Sequence, residues 1–340
     1  MFQTEPNLYL QSLGSDWFTA LMKAVSWMGY EPFFVAVVGL LVAGVNFRKG
    51  FLLLQLMLWQ GAAISVLKDV CALPRPAQVD SRVLYKGRPN PCPFTDMGAE
   101  GFFEPLPREV VDYYRATIPR GHDEFGFPSG HVQSTAGLWG GLCALFGGRL
   151  IIWATPLIVA VMALSRMYLG VHFLADVLGG AAAAALLVLA FQQLCARANM
   201  QSRLFDRSIV SHAFRLPNLL FASFMFIIPL LLLPFYPARS GLFLGVNTGY
   251  LLVLRNGLPV DSGSFPQRAA RVLMGFSIFL VTSLLIRYAI VLFGIDDDAA
   301  SVRFAAKALP TFMIVWAMVE LCVRLGLYKR EPAPRPGAAV

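Results

Sequence analysis

The stretch Ser165-Arg166-Met167-Tyr168-Leu169-Gly170-Val171-His172-Phe173-Leu174-Ala175-Asp176 joins two apolar runs, residues 150–168 and 172–196. Each run is close to the roughly 20 residues needed to cross a bilayer. The polar residues crowd into the turn between them. Similar apolar runs recur along the 340 residues, which are 57% hydrophobic and 14% charged, against about 25% charged in soluble domains. The expected fold is therefore all-α, a polytopic transmembrane helix bundle.

Working outward, residues 1–30 read as an interfacial amphipathic helix, since apolar and polar positions alternate at near-helical spacing over 8–29. A front membrane module over 31–196 has spans near 32–47, 51–72, 131–146, 150–168 and 172–196. It is interrupted by a long polar loop, 73–127, too long for a bare connector and expected to be a partly helical lid. A basic linker, 197–216, leads to an accessory module over 217–326 with about four spans, near 217–236, 241–254, 272–295 and 304–325. The tail, 327–340, is rich in Pro and Ala and reads as disordered. Residues 1–16 contain Glu5 and Asp16, and no basic residue precedes Lys23, a pattern unlike a secretory leader.

The net charge of +8 is spread over short loops rather than gathered in a basic arm, which argues for membrane topology and against nucleic-acid binding. The loops at 46–50, 147–149, 196–216 and 255–271, with the tail from Arg324, hold 14 Lys and Arg; the alternate loops, leaving out 73–129, hold four. The positive-inside rule puts the first set in the cytoplasm. The 73–129 loop, with seven basic residues of its own, then lies outside. Of five cysteines, Cys71 and Cys92 flank that loop at a spacing that permits a disulfide without requiring one.

Three polar clusters fall at span ends. Lys68 closes the second span, and Arg75-Pro76 follows past the helix-breaking Pro74; a cation there either snorkels to the interface or serves a function. Pro128-Ser129-Gly130-His131 opens the third span. Its free backbone N–H groups favour an anion, and Gly130 admits close approach. In the third cluster, His172 and Asp176 stand four apart, on one side of a helix. A carboxylate there can fix the tautomer and raise the basicity of a nucleophilic imidazole. Chain alternation puts all three clusters on one membrane face. Cations for oxygens, a nucleophile and an acid are what phosphoryl transfer uses.

These residues resemble the type 2 phosphatidic acid phosphatase family, which shares its site with vanadium haloperoxidases. The pattern K-x6-RP, PSGH, SR-x5-H-x3-D is matched in order by Lys68, Arg75-Pro76, Pro128 to His131, Ser165-Arg166, His172 and Asp176 over about residues 50–196. The resemblance implies a haloperoxidase-like catalytic core with about four extra C-terminal spans. It implies that His172 attacks phosphorus, Asp176 orients it and His131 protonates the leaving oxygen. Lys68, Arg75, Arg166, Ser129 and the Gly130 amide would bind phosphate. No cofactor and no metal are implied.

The expected protein is a multi-pass phosphatase of a bacterial inner membrane, acting on a phosphomonoester or diphosphate of a lipid from the extracytoplasmic face. The context Glu124-Phe125-Gly126-Phe127 and the later spans look most like the sphingosine-1-phosphate phosphatase branch. A lipid phosphotransferase and an undecaprenyl-diphosphate phosphatase would use the same motifs. A transporter or scaffold that only binds phosphorylated lipid would not need both histidines. The lipid and the oligomeric state stay open. His122 and His212 read as loop and linker residues, Glu320 and Arg324 as an i, i+4 pair. Arg287 reads as paired with a substrate phosphate or a carboxylate in the bundle, or as snorkelling outward.

Overall fold

The computed structural model describes residues 1–119, 124–197, 204–206 and 223–331. His122, His212 and most of the basic linker lie outside them. The chain divides into two compact units, one of Met1–Ala36 with Gln55–Gln192, the other of Val37–Leu54 with Gln193–Val340. Among the described residues, five helices are long and apolar enough to cross a membrane, or six if one bent pair counts as a single span.

The first unit begins with α1 (Glu5–Ser12) and α2 (Asp16–Trp27). The single amphipathic helix expected over 8–29 is thus broken. Ser15 is extended (φ −139°, ψ 166°) and Asp16 sits in the first turn of α2, a helix start with its acid at the positive end of the dipole. Helix α3 (Glu31–Leu40) continues into a π-helical turn, Leu41–Val45, and forms with α2 the bent pair, kinked by 53°. Helix α4 (Phe47–Cys71) follows, then the four-residue α5 (Pro76–Val79) and α6 (Arg108–Thr117). Helix α7 (Gly130–Phe146) has 17 residues, about 26 Å, slightly under the roughly 30 Å hydrocarbon core. Helices α8 (Arg149–Tyr168) and α9 (Leu174–Arg197), the latter as far as Gln192, complete the first unit, whereas Val37–Leu54, with the π-helical turn and the start of α4, belongs to the second.

The long loop is partly helical through α5 and α6. Helix α6 buries Val110, Val111 and Tyr114 in one cluster with Ala72, Val79, Phe125 and Phe173. The loop therefore has a small core of its own, seated on the residue next to His172. Arg82 clasps Asp80 and Asp96, both at 2.6 Å. Cys71 and Cys92 are free thiols, and Cys92 Sγ donates to the Gln78 carbonyl at 2.9 Å.

In the second unit the span expected over 217–236 is described only from Ser223. Its described part is a π-helical turn, Ser223–Ile227, and the short α10 (Ile228–Leu231), with Pro229 and Pro234 unable to continue a helix ladder. Helix α11 (Pro237–Asn256) is buried along most of its length and is a core helix. A methyl on Gly245 would lie 2.2 Å from the Ala308 carbonyl oxygen, so α11 and α13 (Ala300–Arg324) touch at their backbones. Helix α12 (Phe265–Leu292) starts earlier than the hydropathy suggests; Gln267 Oε1 accepts the Ser264 N–H at 2.8 Å at its entry. Arg287 is exposed on α12.

The disordered tail expected from residue 327 is corrected. Strand β2 (Lys329–Arg330) pairs antiparallel with β1 (Pro259–Val260), and Glu331 is bridged to Arg48 at 2.7 Å. Main-chain pairing and charge hold a segment whose composition alone would not. Glu320 pairs with Arg330 rather than with Arg324, because β2 brings that guanidinium to it. Residues 332–340 lie outside the described chain.

Candidate active site

All eight expected site residues belong to the first unit. Lys68 is in the last turn of α4 and 4% exposed; its Nζ donates to the Phe125 carbonyl. Arg75 follows in extended backbone at the start of α5, with Nε donating to the Glu124 carbonyl at 2.7 Å. The Gly126 N–H ties the same segment to the Leu73 carbonyl at 2.7 Å. The segment Glu124-Phe125-Gly126 is thus tied to both cations.

Ser129 precedes α7. Its N–H donates to the Asp176 carbonyl at 2.9 Å, and its buried Oγ has no hydrogen-bond partner among the described residues. Gly130 lies beside the Lys68 stem, where a methyl would sit 4.0 Å from Cε. The buried His131 Nε2 likewise has no partner among the described residues. The His131 ring meets Tyr30 edge to face, with centroids 4.5 Å apart.

Arg166, in the last turn of α8, is buried, and its Nη1 donates to Ser26 Oγ. The chain then reverses through Gly170, whose φ of +68° suits the residue without a Cβ. His172 lies in the turn before α9 rather than on the helix itself, a correction to the expectation that it begins the span. The pairing with Asp176 survives for another reason. Asp176 sits in the first turn of α9, and its Oδ2 accepts the Phe173 N–H at 2.9 Å, the reach-back of a helix N-cap. The same oxygen meets His172 Nδ1 at 3.2 Å. Both residues are buried.

Lys68, Arg75, Arg166 and His131 all lie within electrostatic reach of His172. The charge of Lys86 is felt more weakly at His131, and its Nζ lies over the Tyr85 ring, 5.1 Å from the centroid. Three other contributors were missed. Asn7 Nδ2 donates to the Met167 carbonyl at 2.7 Å and to the His172 carbonyl at 3.0 Å. Ser26 and Tyr30 meet Arg166. All three sit in the segment read as a surface helix, and a buried polar residue on an amphipathic helix leaves no periodic signal. Among the described residues, the group of side chains close enough to share a metal ion is Asp296-Asp297-Asp298, exposed and in the other unit.

Two histidines, one backed by a buried carboxylate and both within the field of nearby cations, thus lie where α7 and α9 begin. The chain belongs to the PAP2 superfamily. Residues 49–199 match the model described as PAP2 superfamily, and residues 237–330 match "PAP2 superfamily phosphatase, transmembrane extension". It is an integral membrane protein with several candidate spans. The lipid A 4'-phosphatase of Porphyromonas gingivalis is 30% identical over 74 residues, which are 22% of this chain and 31% of that protein. The chain therefore spans under a third of that relative's length. No solved structure matches. The narrower likeness to the sphingosine-1-phosphate phosphatase branch is neither supported nor opposed by these matches.

Proposed function

We propose that this protein hydrolyses a phosphomonoester of a membrane lipid through a phosphohistidine, without a metal. The observation that carries the reading is the buried His172–Asp176 pair at 3.2 Å. With Nδ1–H held by the carboxylate, Nε2 keeps its lone pair for phosphorus. As the Nε2–P bond forms and the P–O bond to the lipid breaks, His131 gives a proton to the departing oxygen. Lys68, Arg75 and Arg166 offset the charge that gathers on the three equatorial oxygens. Ser129 Oγ and the Gly130 N–H, at the start of α7, add neutral donors. Water then attacks phosphorus, His131 takes its proton, and inorganic phosphate leaves with His172 restored.

A lipid rather than a soluble ester is favoured by an apolar cavity of about 220 Å3 lined by Val25, Met28, Thr135, Trp139 and Met162. Thr135 and Trp139 are one and two helical turns along α7 from His131. Similarity to a lipid A 4'-phosphatase favours a phosphomonoester over a diphosphate. The site is assigned to the extracytoplasmic face of a bacterial inner membrane, on the distribution of Lys and Arg.

The test is phosphate release from phosphatidate, sphingoid-base phosphate, lipid A and undecaprenyl diphosphate, with EDTA added and with an alcohol acceptor present. Release from a monoester that survives EDTA is expected, and His172→Ala should lower it by roughly 10^4-fold or more. Substantial turnover in His172→Ala would sink the mechanism. Transfer of label to the acceptor in place of release would reassign the protein as a phosphotransferase.

A further inference from the structure

The residues that shape the site do not stop where the phosphatase family match begins. That match starts at residue 49, whereas the elbow between α2 and α3, residues 28–30, forms a wall around His131 and Arg166. A methyl placed on Gly29 would lie 2.4 Å from His131 Cδ2 and 2.9 Å from Cγ, so the backbone of the elbow touches the imidazole face. Tyr30 packs at a steep angle against the same ring, with centroids 4.5 Å apart, and its phenol lies near the Arg166 guanidinium. One turn earlier, Ser26 Oγ accepts from Arg166 Nη1, and the Ser165 hydroxyl donates to the Met22 carbonyl at 2.7 Å. The guanidinium is 3% exposed, and its Nε has no partner among the described residues.

We infer that the α2–α3 elbow is a positioning element for the reaction, with Gly29 and Tyr30 setting the imidazole of His131 and Tyr30 with Ser26 setting the guanidinium of Arg166. The inference rests on the proposed phosphatase chemistry. The physical reason is that each partner removes a freedom that would misplace a charge. A guanidinium held through Nη1 by Ser26, with the Tyr30 phenol beside it, has less freedom to turn and keeps its remaining donors for a phosphate. An imidazole confined between a backbone and a ring cannot swing away from the leaving oxygen. A shift near 1 Å is enough to cost about 100-fold in rate.

Two effects should separate, because the two targets act at different points. Gly29→Ala forces the His131 ring aside, so it should slow a lipid alkyl phosphate, a poor leaving group, by at least about tenfold. It should spare the single-turnover release of p-nitrophenol, whose leaving oxygen needs no proton, to within about threefold, while the later attack of water still needs His131 as base for either ester. Tyr30→Phe keeps the ring on His131 but frees Arg166. It should raise the inhibition constant of inorganic phosphate by about three- to tenfold while keeping the wild-type preference between the two substrates. Ser26→Ala should mimic that loss and Ser26→Thr should restore it.

Each variant is assayed as the full chain in detergent after size-exclusion. If Gly29→Ala is not recovered folded, the Tyr30 and Ser26 variants decide. Equal slowing of leaving-group release from both substrates, with an unchanged phosphate inhibition constant, would mark the elbow as merely structural and overturn the inference. Wild-type behaviour in all four variants would do the same. Both outcomes leave an active wild-type enzyme, whereas a wild type that releases no phosphate from either ester overturns the phosphatase reading and the inference together.

Discussion

Arg166 in the first unit and Arg271 in the second are buried to the same degree, 3% and 2% exposed, and are surrounded in opposite ways. The Arg271 Nε donates to the Leu327 carbonyl at 2.9 Å, its Nη2 to the Ser262 and Leu327 carbonyls, and its guanidinium lies 4.0 Å from the centroid of Tyr328. Arg166 has one hydroxyl on Nη1, a phenol in reach, and a buried Nε without a partner among the described residues. Ser129 Oγ and His131 Nε2, near it, are in the same condition. Buried polar groups are normally satisfied, and an unmatched donor costs about 1–3 kcal/mol. A saturated arginine holds a fold together. An arginine left with a donor in hand, beside the unmatched Ser129 Oγ and His131 Nε2, is where the proposed reading puts the phosphate.

The comparison is tested most severely at the carboxylate behind the nucleophile. Asp176→Asn keeps an oxygen for the Phe173 N–H but no longer holds the right His172 tautomer, so kcat should fall by about 10^3- to 10^4-fold with the unfolding midpoint nearly unchanged. A loss under about tenfold would mean that the pair is structural, like Arg271.

The two arginines provide the second test. Arg166→Ala should cost about 10^2- to 10^3-fold in kcat/KM and little stability. Arg271→Ala should instead destabilise the protein by about 2–5 kcal/mol, seen in thermal or denaturant unfolding, with the surviving folded fraction turning over normally. Exchanged outcomes would break the contrast.

A third, smaller effect concerns packing in the second unit. Gly245→Val places bulk against the Ala308 carbonyl and should destabilise by about 1–3 kcal/mol; phosphate release per folded molecule should hold. If activity falls with stability intact, the second unit contributes to chemistry and its role must be revised.

The smallest effect belongs to the loop of the first unit. Burial pushes the Asp80 carboxyl up, but the Arg82 side chain and N–H and the Thr4 hydroxyl outweigh it and hold it below the usual carboxylate range. A depressed folded value means that this stabilisation is present above the unfolded pKa, about 3.9, and is lost as pH falls through the folded value. Hydrogen exchange of residues 80–96 should stay slow at pH 5–7 and quicken below about pH 4. Asp80→Asn should remove that pH dependence; an unchanged profile would show that Asp80 is not what fastens the loop.

The readable parts of the molecule were those that repeat a physical rule. Apolar runs of membrane length located α4, α8, α9, α12 and α13, since hydrocarbon demands about 20 apolar residues in a row. Helix α11 was read from a similar signal, but local hydropathy did not show that more than half of its residues would be buried against other parts of the protein. The ordered end at Lys329–Arg330 was missed because its order comes from β1, about seventy residues away in the chain. Lys86, Asn7, Ser26 and Tyr30 had no pattern to find, being single polar residues whose meaning depends on what lies opposite.

By itself the sequence determined a helical membrane chain with two histidines, an aspartate and three cations gathered at span ends, because spacing and alternation are local properties. Only the tertiary structure decided how those groups are held. Asp176 meets His172 through the N-cap of α9 instead of along one helix face. The first thirty residues, which read as a surface helix, stand behind Arg166, His131 and the His172 backbone. Such contacts join residues more than a hundred positions apart, and hydropathy carries no information over that distance.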